Sequence, residues 1–313
     1  MQAWLRHRYV SLIALAVVIV LLPLVFPSGY YYRVAALVWV SALAAIGLNI
    51  LMGKAGQVSL GHAGFFGIGA YAAAIGPAHL GLSSFVSLLI GAVLSAVLAY
   101  FVGRPILRLK GHYLAIATLG LGALVALVIT TESRWTGGPD GMPVVKLVIF
   151  GWRASGAGTW YWITAGMLLV GTWLALNLDD TPTGRAFRAL HDSEVAARVA
   201  GVNVNRFKLQ AFVIAAVYAS LAGSALALMN GFVNPDQAGF LHSVEMVTMV
   251  VLGGLGSVMG SIVGAAVMIL LPQALTIFQE YEHLLLGFII IVSMIFMRDG
   301  IVPMLSRLMG RRT

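Results

Sequence analysis

Apolar residues run through this chain in long, nearly unbroken blocks, and polar residues collect in the intervals between them. Blocks long enough to cross about 30 Å of hydrocarbon fall near 10–26, 34–52, 58–80, 84–103, 113–131, 160–178 and 209–230. A further apolar region, 244–276, is broken by Gly253, Gly254, Gly256 and Gly260, and a last block covers about 284–297. The pattern predicts an all-α polytopic integral membrane protein, with 1–313 forming one transmembrane domain. Residues 244–255 are short for a full crossing. Irregular backbone at membrane depth is tolerated only inside protein or along a cavity, so the broken region is expected to be a re-entrant hairpin. That gives eight full crossings plus the hairpin, with ten crossings as the alternative count.

Charge supports the class and sets an orientation. The chain is 60% hydrophobic and 10% charged, against about 25% charged in soluble domains. Its net charge of +8 invites a nucleic-acid reading. In a polytopic chain, however, such an excess belongs to loops that follow the positive-inside rule, and no nucleic-acid partner is expected. With the N-terminus inside, fifteen Lys and Arg lie on the inner side and only Arg33, Arg134, Lys146 and Arg153 on the outer. Both termini and the loop 179–208 are therefore expected in the cytoplasm and 132–159 outside. Met1–Arg8 and the apolar run after it resemble a signal peptide, but Pro27-Ser28-Gly29 offers no small-x-small cleavage pattern, so an uncleaved first span is expected. Cysteine is absent, which removes disulfide and thiol chemistry.

The interval 179–208 is the longest polar stretch and is rich in arginine. Asp180-Thr181-Pro182 reads as a helix start, and Gly201 suits the position just past a helix end. The expected element is one surface helix over 182–201. Phe187, Leu190, Glu194 and Ala197 would share a face, and Arg188 would pair with Asp192 one turn on. One reading rests its arginines on the anionic headgroups of the lipid bilayer. The sharper one makes it a docking helix for a soluble motor, with Arg185, Arg188, Glu194, Ala196, Ala197 and Gly201 at the contact.

Two glycine-rich stretches mark the membrane region. Within 54–71 and just beyond it, Gly56, Ser59, Ala63, Gly67, Ala70 and Ala74 recur every three or four residues, so one helix face would be small throughout. Gly56, Gly61 and Gly67, and in the second stretch Gly256, Gly260 and Gly264, are expected to let helices pack closely. The two stretches also look alike by eye, as an inverted repeat with binding near the midplane would. Polar groups at membrane depth are site candidates by default, which singles out Gln57, Ser59, His62 and Glu245 as a solute path. Few carboxylates lie in the spans, which disfavours an ion-coupled secondary carrier. The chain has no phosphate loop, no H-E-x-x-H helix and no G-x-S-x-G elbow. Its histidines lack ligand spacing, so neither catalysis nor a metal site is expected, and a membrane-embedded enzyme is the least favoured class.

GQVSLGHAGFFGIGAY at 56–71, LKGHYLAIATLG at 109–120, TGGPDGMP at 136–143, the stretch 184–216 and VLGGLGSVMGSIVGA at 251–265 together resemble the permease subunits of branched-chain amino-acid ABC importers, specifically the M-type. The likeness runs from about 35 to 300. It implies a bacterial inner-membrane importer of Leu, Ile and Val. Its other members would be a second homologous permease, two cytosolic ATPase subunits and a periplasmic amino-acid-binding protein. ATP and magnesium would sit on the ATPases, with no cofactor on this chain. The resemblance also makes the 182–201 helix the coupling helix. Importer permeases commonly carry E-A-A-x3-G there; here it reads Glu194-Val195-Ala196-Ala197-x3-Gly201, without the Leu-Pro that usually follows. Permeases for urea, short amides and other amino acids share the family.

Overall fold

The computed structural model describes residues 2–149, 152–275 and 300–308, and the structural statements below concern those residues. Five helices are long and apolar enough to cross a membrane, the first of them running on from α2 (Gly29–Asn49) through a π-helical turn to Lys54. The other four are α4 (Ser84–Ile106), α5 (His112–Thr131), α7 (Ala157–Leu178) and α10 (Val204–Asn230). Further helices complete the bundle: α1 (Gln2–Leu21), α3 (His62–Leu80), α6 (Ser133–Thr136), α8 (Pro182–Asp192), α9 (Glu194–Val199), α11 (Phe240–Gly253), α12 (Val258–Leu275) and α13 (Ile301–Leu308). The expected last span, 284–297, lies outside the described residues.

Two helices make the centre. α2 is buried along almost its whole length, and α10 presents Ala211, Ala215, Ala219 and Ala222 as a buried stripe at helical spacing. α10 packs on α2, α3 and α4, and α7 and α12 flank α2. α4 and α5 are peripheral. Their apolar side chains, Phe101, Ile116 and Leu124 among them, face outward, as lipid-facing helices require.

Small residues set the helix separations. A methyl group on Gly69 would stand 1.9 Å from the Ser220 carbonyl oxygen, and one on Gly223 would stand 1.9 Å from that of Phe66. Between them the Ser224 hydroxyl donates to the Gly69 carbonyl at 2.8 Å. In lipid no hydrophobic drive joins helices, so contact this close supplies the attraction. The expected packing glycines behave alike at several places. A methyl on Gly61 would meet the Thr118 carbonyl oxygen at 1.8 Å, on Gly67 the Ala238 methyl at 2.5 Å, and on Gly260 and Gly264 the Gly253 and Met249 oxygens at 2.5 and 1.9 Å. Buried phenols add polar ties: Tyr218 donates to the Gly171 carbonyl at 2.8 Å and Tyr161 to that of Ile19 at 2.5 Å.

The broken region is a helical hairpin. α11 and α12 pack on each other, and their turn is held by Asn49 near the end of α2. The Asn49 amide donates to the Ser257 carbonyl at 2.8 Å and to Ser261 Oγ at 2.7 Å, and accepts from the Gly256 N–H at 2.8 Å. At the other end of α2, Tyr30 hydrogen-bonds Gln273. The α12 arm therefore reaches the end of the molecule opposite the 179–208 loop, while the first turn of α11 lies against the start of α3.

Three expectations change. Residues 55–61 are not helical, since Gly56 has φ +66° and α3 starts only at His62, so the small-residue face does not extend through Gly56 and Ser59. The two glycine-rich turns lie at one end of the molecule in contact, with Gly53 against Gly256, and the helices that follow them run parallel. The inverted-repeat reading fails on that geometry. The helical bundle also carries two short antiparallel ladders, β1 (Met142–Pro143) with β4 (Phe232–Val233) and β2 (Val148–Ile149) with β3 (Trp152–Arg153), which pin the 132–159 segment.

Gly69→Ala should destabilise the bundle by about 1–3 kcal/mol, because the new methyl meets a backbone oxygen that cannot move away alone. Gly166→Ala, where nothing stands within 4 Å, should be neutral. Thermal unfolding of the purified variants checks this; equal stability would place the α3–α10 contact elsewhere.

Candidate functional site

The 179–208 loop folds into two helices. Thr181 caps α8 by accepting from the Gly184 N–H, and Ser193, in extended backbone, ends α8 and caps α9 by accepting from the Ala196 N–H. The expected continuous helix over 182–201 is therefore broken at Ser193, whose hydroxyl favours a cap over a helix interior. Gly201, φ +83°, closes α9: its N–H donates to the Arg198 carbonyl and that of Val202 to Ala197. Arg188 does not pair with Asp192; it reaches back to the Asp179 carbonyl at 2.9 Å, while Arg185 donates to that of Asp180 at 3.0 Å.

Glu194 faces the bundle and forms an ion pair with Lys208, which is only 2% exposed. The Gln57 amide donates to the same carboxylate at 3.5 Å and to the Ala55 carbonyl at 3.0 Å. A second pair, Lys54 with Asp179 at 2.6 Å, ties the π turn after α2 to the end of α7, and the Lys54 ammonium also donates to the Ala175 carbonyl at 3.3 Å. Burial alone would raise the Glu194 pKa, but the Lys208 ammonium and the Gln57 amide outweigh it and hold the carboxyl below the usual range. These contacts form a latch that joins the loop to the starts of α3 and α10.

The latch continues inward through the Gly56–Gly61 turn. The Leu60 N–H donates to Thr118 Oγ1 of α5 at 3.1 Å, and the Ala63 N–H donates to Ser243 Oγ of α11 at 3.0 Å. The turn that touches Glu194 is thus also hydrogen-bonded to α5 and α11. Ala197 packs inward with Leu190 and Val204. Ala196 and Gly201 are exposed, as are Val195 at 72% and Val199 at 85%, which form an apolar knob on the outside of α9.

Of the four path candidates, Ser59 and His62 lie together, Ser59 Oγ 3.5 Å from His62 Nδ1. Gln57, Ser59 and His62 are buried, Gln57 in the latch and His62 between the rings of Phe65 and Phe212. Glu245 stands apart on the exposed face of α11, with His242 Nδ1 at 3.1 Å. Among the described residues no group of three His, Asp or Glu could hold a metal ion. Sequence reasoning missed Asn49, Lys54, Asp179 and Lys208. Asn49 had a usable signal, being one amide in an apolar span; the two lysines were counted only as loop charge.

Buried ion pairs thus fasten a polar loop to the end of an apolar helical bundle. Residues 30–294 match the family described as the branched-chain amino acid transport system permease component, and the chain belongs to that family. It is 33% identical to the high-affinity branched-chain amino acid transport system permease protein LivM of Escherichia coli K12, over 94% of this chain and 74% of the relative. It is also similar to the autoinducer 2 import permease LsrC of Enterobacter sp. 638, 29% over 89% and 82%, and to the ribose import permease RbsC of E. coli K12, 27% over 93% of both chains. No solved structure matches.

The two partners of the latch differ in burial, and their removal should differ in cost. Glu194→Leu strands the buried Lys208 ammonium and should cost about 3–5 kcal/mol. Lys208→Met leaves a carboxylate that can rehydrate and should cost about 1–2 kcal/mol, and the double variant should resemble Lys208→Met. Tryptic cleavage within the loop reads this directly. Because the Glu194 pKa is lowered, thermal stability should be full at neutral pH and fall only as pH drops through that lowered value. Equal protection in all three variants would deny the latch.

Proposed function

We propose that this chain is a permease subunit of an ATP-driven importer for branched-chain amino acids in the bacterial inner membrane. The observation that carries the proposal is the α8–α9 platform: apolar knob outward, buried ion pairs inward. ATP and magnesium act on two separate cytosolic ATPase subunits, and Val195 and Val199 enter a groove on one of them. Glu194, Lys208 and Gln57 then move with α9, and the turn 56–61 passes the motion to α5 and α11. The roles of Arg185, Arg188, Ala196 and Gly201 are to shape that platform; Ala197 supports it from within.

A second homologous permease completes the path against the exposed faces of α5 and α11, and a periplasmic amino-acid-binding protein delivers substrate at the opposite end. Leu241 and Val244 beside Glu245 suit an apolar side chain with a nearby ammonium. The loop 179–208 and both termini are cytoplasmic, and eight crossings plus the α11–α12 hairpin describe the topology. The branched-chain substrate is favoured by the higher identity to LivM; the similarity to RbsC and LsrC makes a sugar-like cargo the second reading.

Uptake of leucine, isoleucine, valine, urea and ribose in a strain lacking the system decides the substrate. Saturable leucine uptake is expected, and ribose uptake alone would refute the first reading. Val199→Glu should abolish ATPase co-purification, with loss of transport of at least about a hundredfold, while leaving thermal stability unchanged. Retained ATPase and uptake would move the docking surface off α9. An impermeant thiol reagent on intact cells should label Ser133→Cys and spare Ser193→Cys; the reverse pattern would invert the orientation.

A further inference from the structure

The loop end holds a second basic feature that the coupling platform does not use. A cavity of about 900 Å³ lies between the end of α4, the end of α7 and the first turns of α10. Arg104, Arg108 and Arg206 line it and are exposed, while no Asp or Glu lines it. Arg104 is placed over the Tyr100 ring, 4.1 Å from its centroid. Beside the polar Thr183 and Asn205, the remaining wall is mostly apolar, with Leu107, Leu178, Leu209, Val213 and Ile214. From Arg206 to Ile214 the α10 wall descends about 12 Å at 1.5 Å per residue. Gln210 lies between those levels, and its side-chain oxygen is buried with no hydrogen-bond partner among the described residues.

A cationic rim above an apolar wall of that depth matches an amphiphile. A soluble anion would leave the wall uncovered, and an acidic protein segment would have no use for it. Basic pockets between helices at this level of a membrane favour anionic headgroups. We propose that the cavity binds an anionic glycerophospholipid. Its phosphate sits among Arg104, Arg108 and Arg206, one acyl chain lies along Leu209, Val213 and Ile214, and a headgroup hydroxyl donates to Gln210 Oε1. The bound lipid joins α4 to α10 beside the latch, so membrane composition reaches the element that couples the loop to the bundle.

The test uses the full chain, purified in detergent with whatever subunits accompany it, then delipidated and titrated with phosphatidylglycerol or phosphatidylcholine. Binding is read by native mass spectrometry and by the shift in melting temperature. Phosphatidylglycerol should bind at least about tenfold more tightly, at about fivefold per arginine engaged. Arg104→Gln/Arg108→Gln/Arg206→Gln should bring it to the phosphatidylcholine level. Gln210→Leu should weaken phosphatidylglycerol but not phosphatidic acid, which has no headgroup hydroxyl, and this arm stands if the triple variant fails to fold. Equal binding of the two lipids, or an unaltered preference in the triple variant, would overturn the proposal. So would glycerol phosphate binding as tightly as the lipid, which would mark a soluble-anion site. Loss of a co-purifying subunit from the triple variant, with its lipid preference intact, would assign the cavity to a protein contact and also overturn it.

Discussion

The Lys208 ammonium is buried at the start of a central helix, and the architecture of the loop end follows from the need to neutralise it. An ammonium taken out of water costs several kcal/mol unless paired and hydrogen-bonded. Glu194 supplies the counter-charge only if α9 lies flat against the bundle, and Ser193 must break the helix to turn it there. Gln57 then shares the carboxylate, which fixes the turn between α2 and α3. One electrostatic demand thereby places the loop, the turn and the start of α10 relative to one another.

Beyond the latch the same economy of polar contact recurs. Asn49 bonds three groups in and beside the turn of the α11–α12 hairpin, through its amide and carbonyl together. Irregular backbone within an apolar bundle has no water to turn to, so one well-placed side chain must serve several groups. The glycine contacts have the complementary task. They bring backbone to backbone where side-chain burial gives no net drive, and so set the separations of α3, α10 and the hairpin helices.

Much of this was legible in the chain, for physical reasons that also mark where legibility stops. Five of the long apolar blocks fall on the five described helices that are long and apolar enough to cross a membrane, because crossing hydrocarbon demands both length and helicity. The Thr181-Pro182 start and the Gly201 end of the loop element were readable from capping chemistry, since those preferences are local. Ser193 was equally a capping residue, but in the middle of a helical pattern its hydroxyl was outvoted by the apolar spacing on either side. The pairs Lys54–Asp179 and Lys208–Glu194 join residues far apart in sequence or across a helix junction, and only the tertiary fold decides which charges turn inward. Ala197 turns inward for the same reason: a small residue suits a buried contact in the chain's own core as well as one with a partner.

The central claim is that α9 and the 56–61 turn move as one body while the helices they touch change position. Val58 and Val199 are both exposed and the chain has no cysteine of its own, so spin labels on Val58→Cys and Val199→Cys report that distance directly. Val199 also lies on the proposed docking surface, so ATPase binding by the labelled protein must be verified first. Pulsed electron paramagnetic resonance of the assembled importer, nucleotide-free and ATP-bound, should give a single unchanged distance distribution. A distribution that shifts or splits on ATP binding would show that the loop slides over the turn, and the latch would then be a surface contact that transmits nothing.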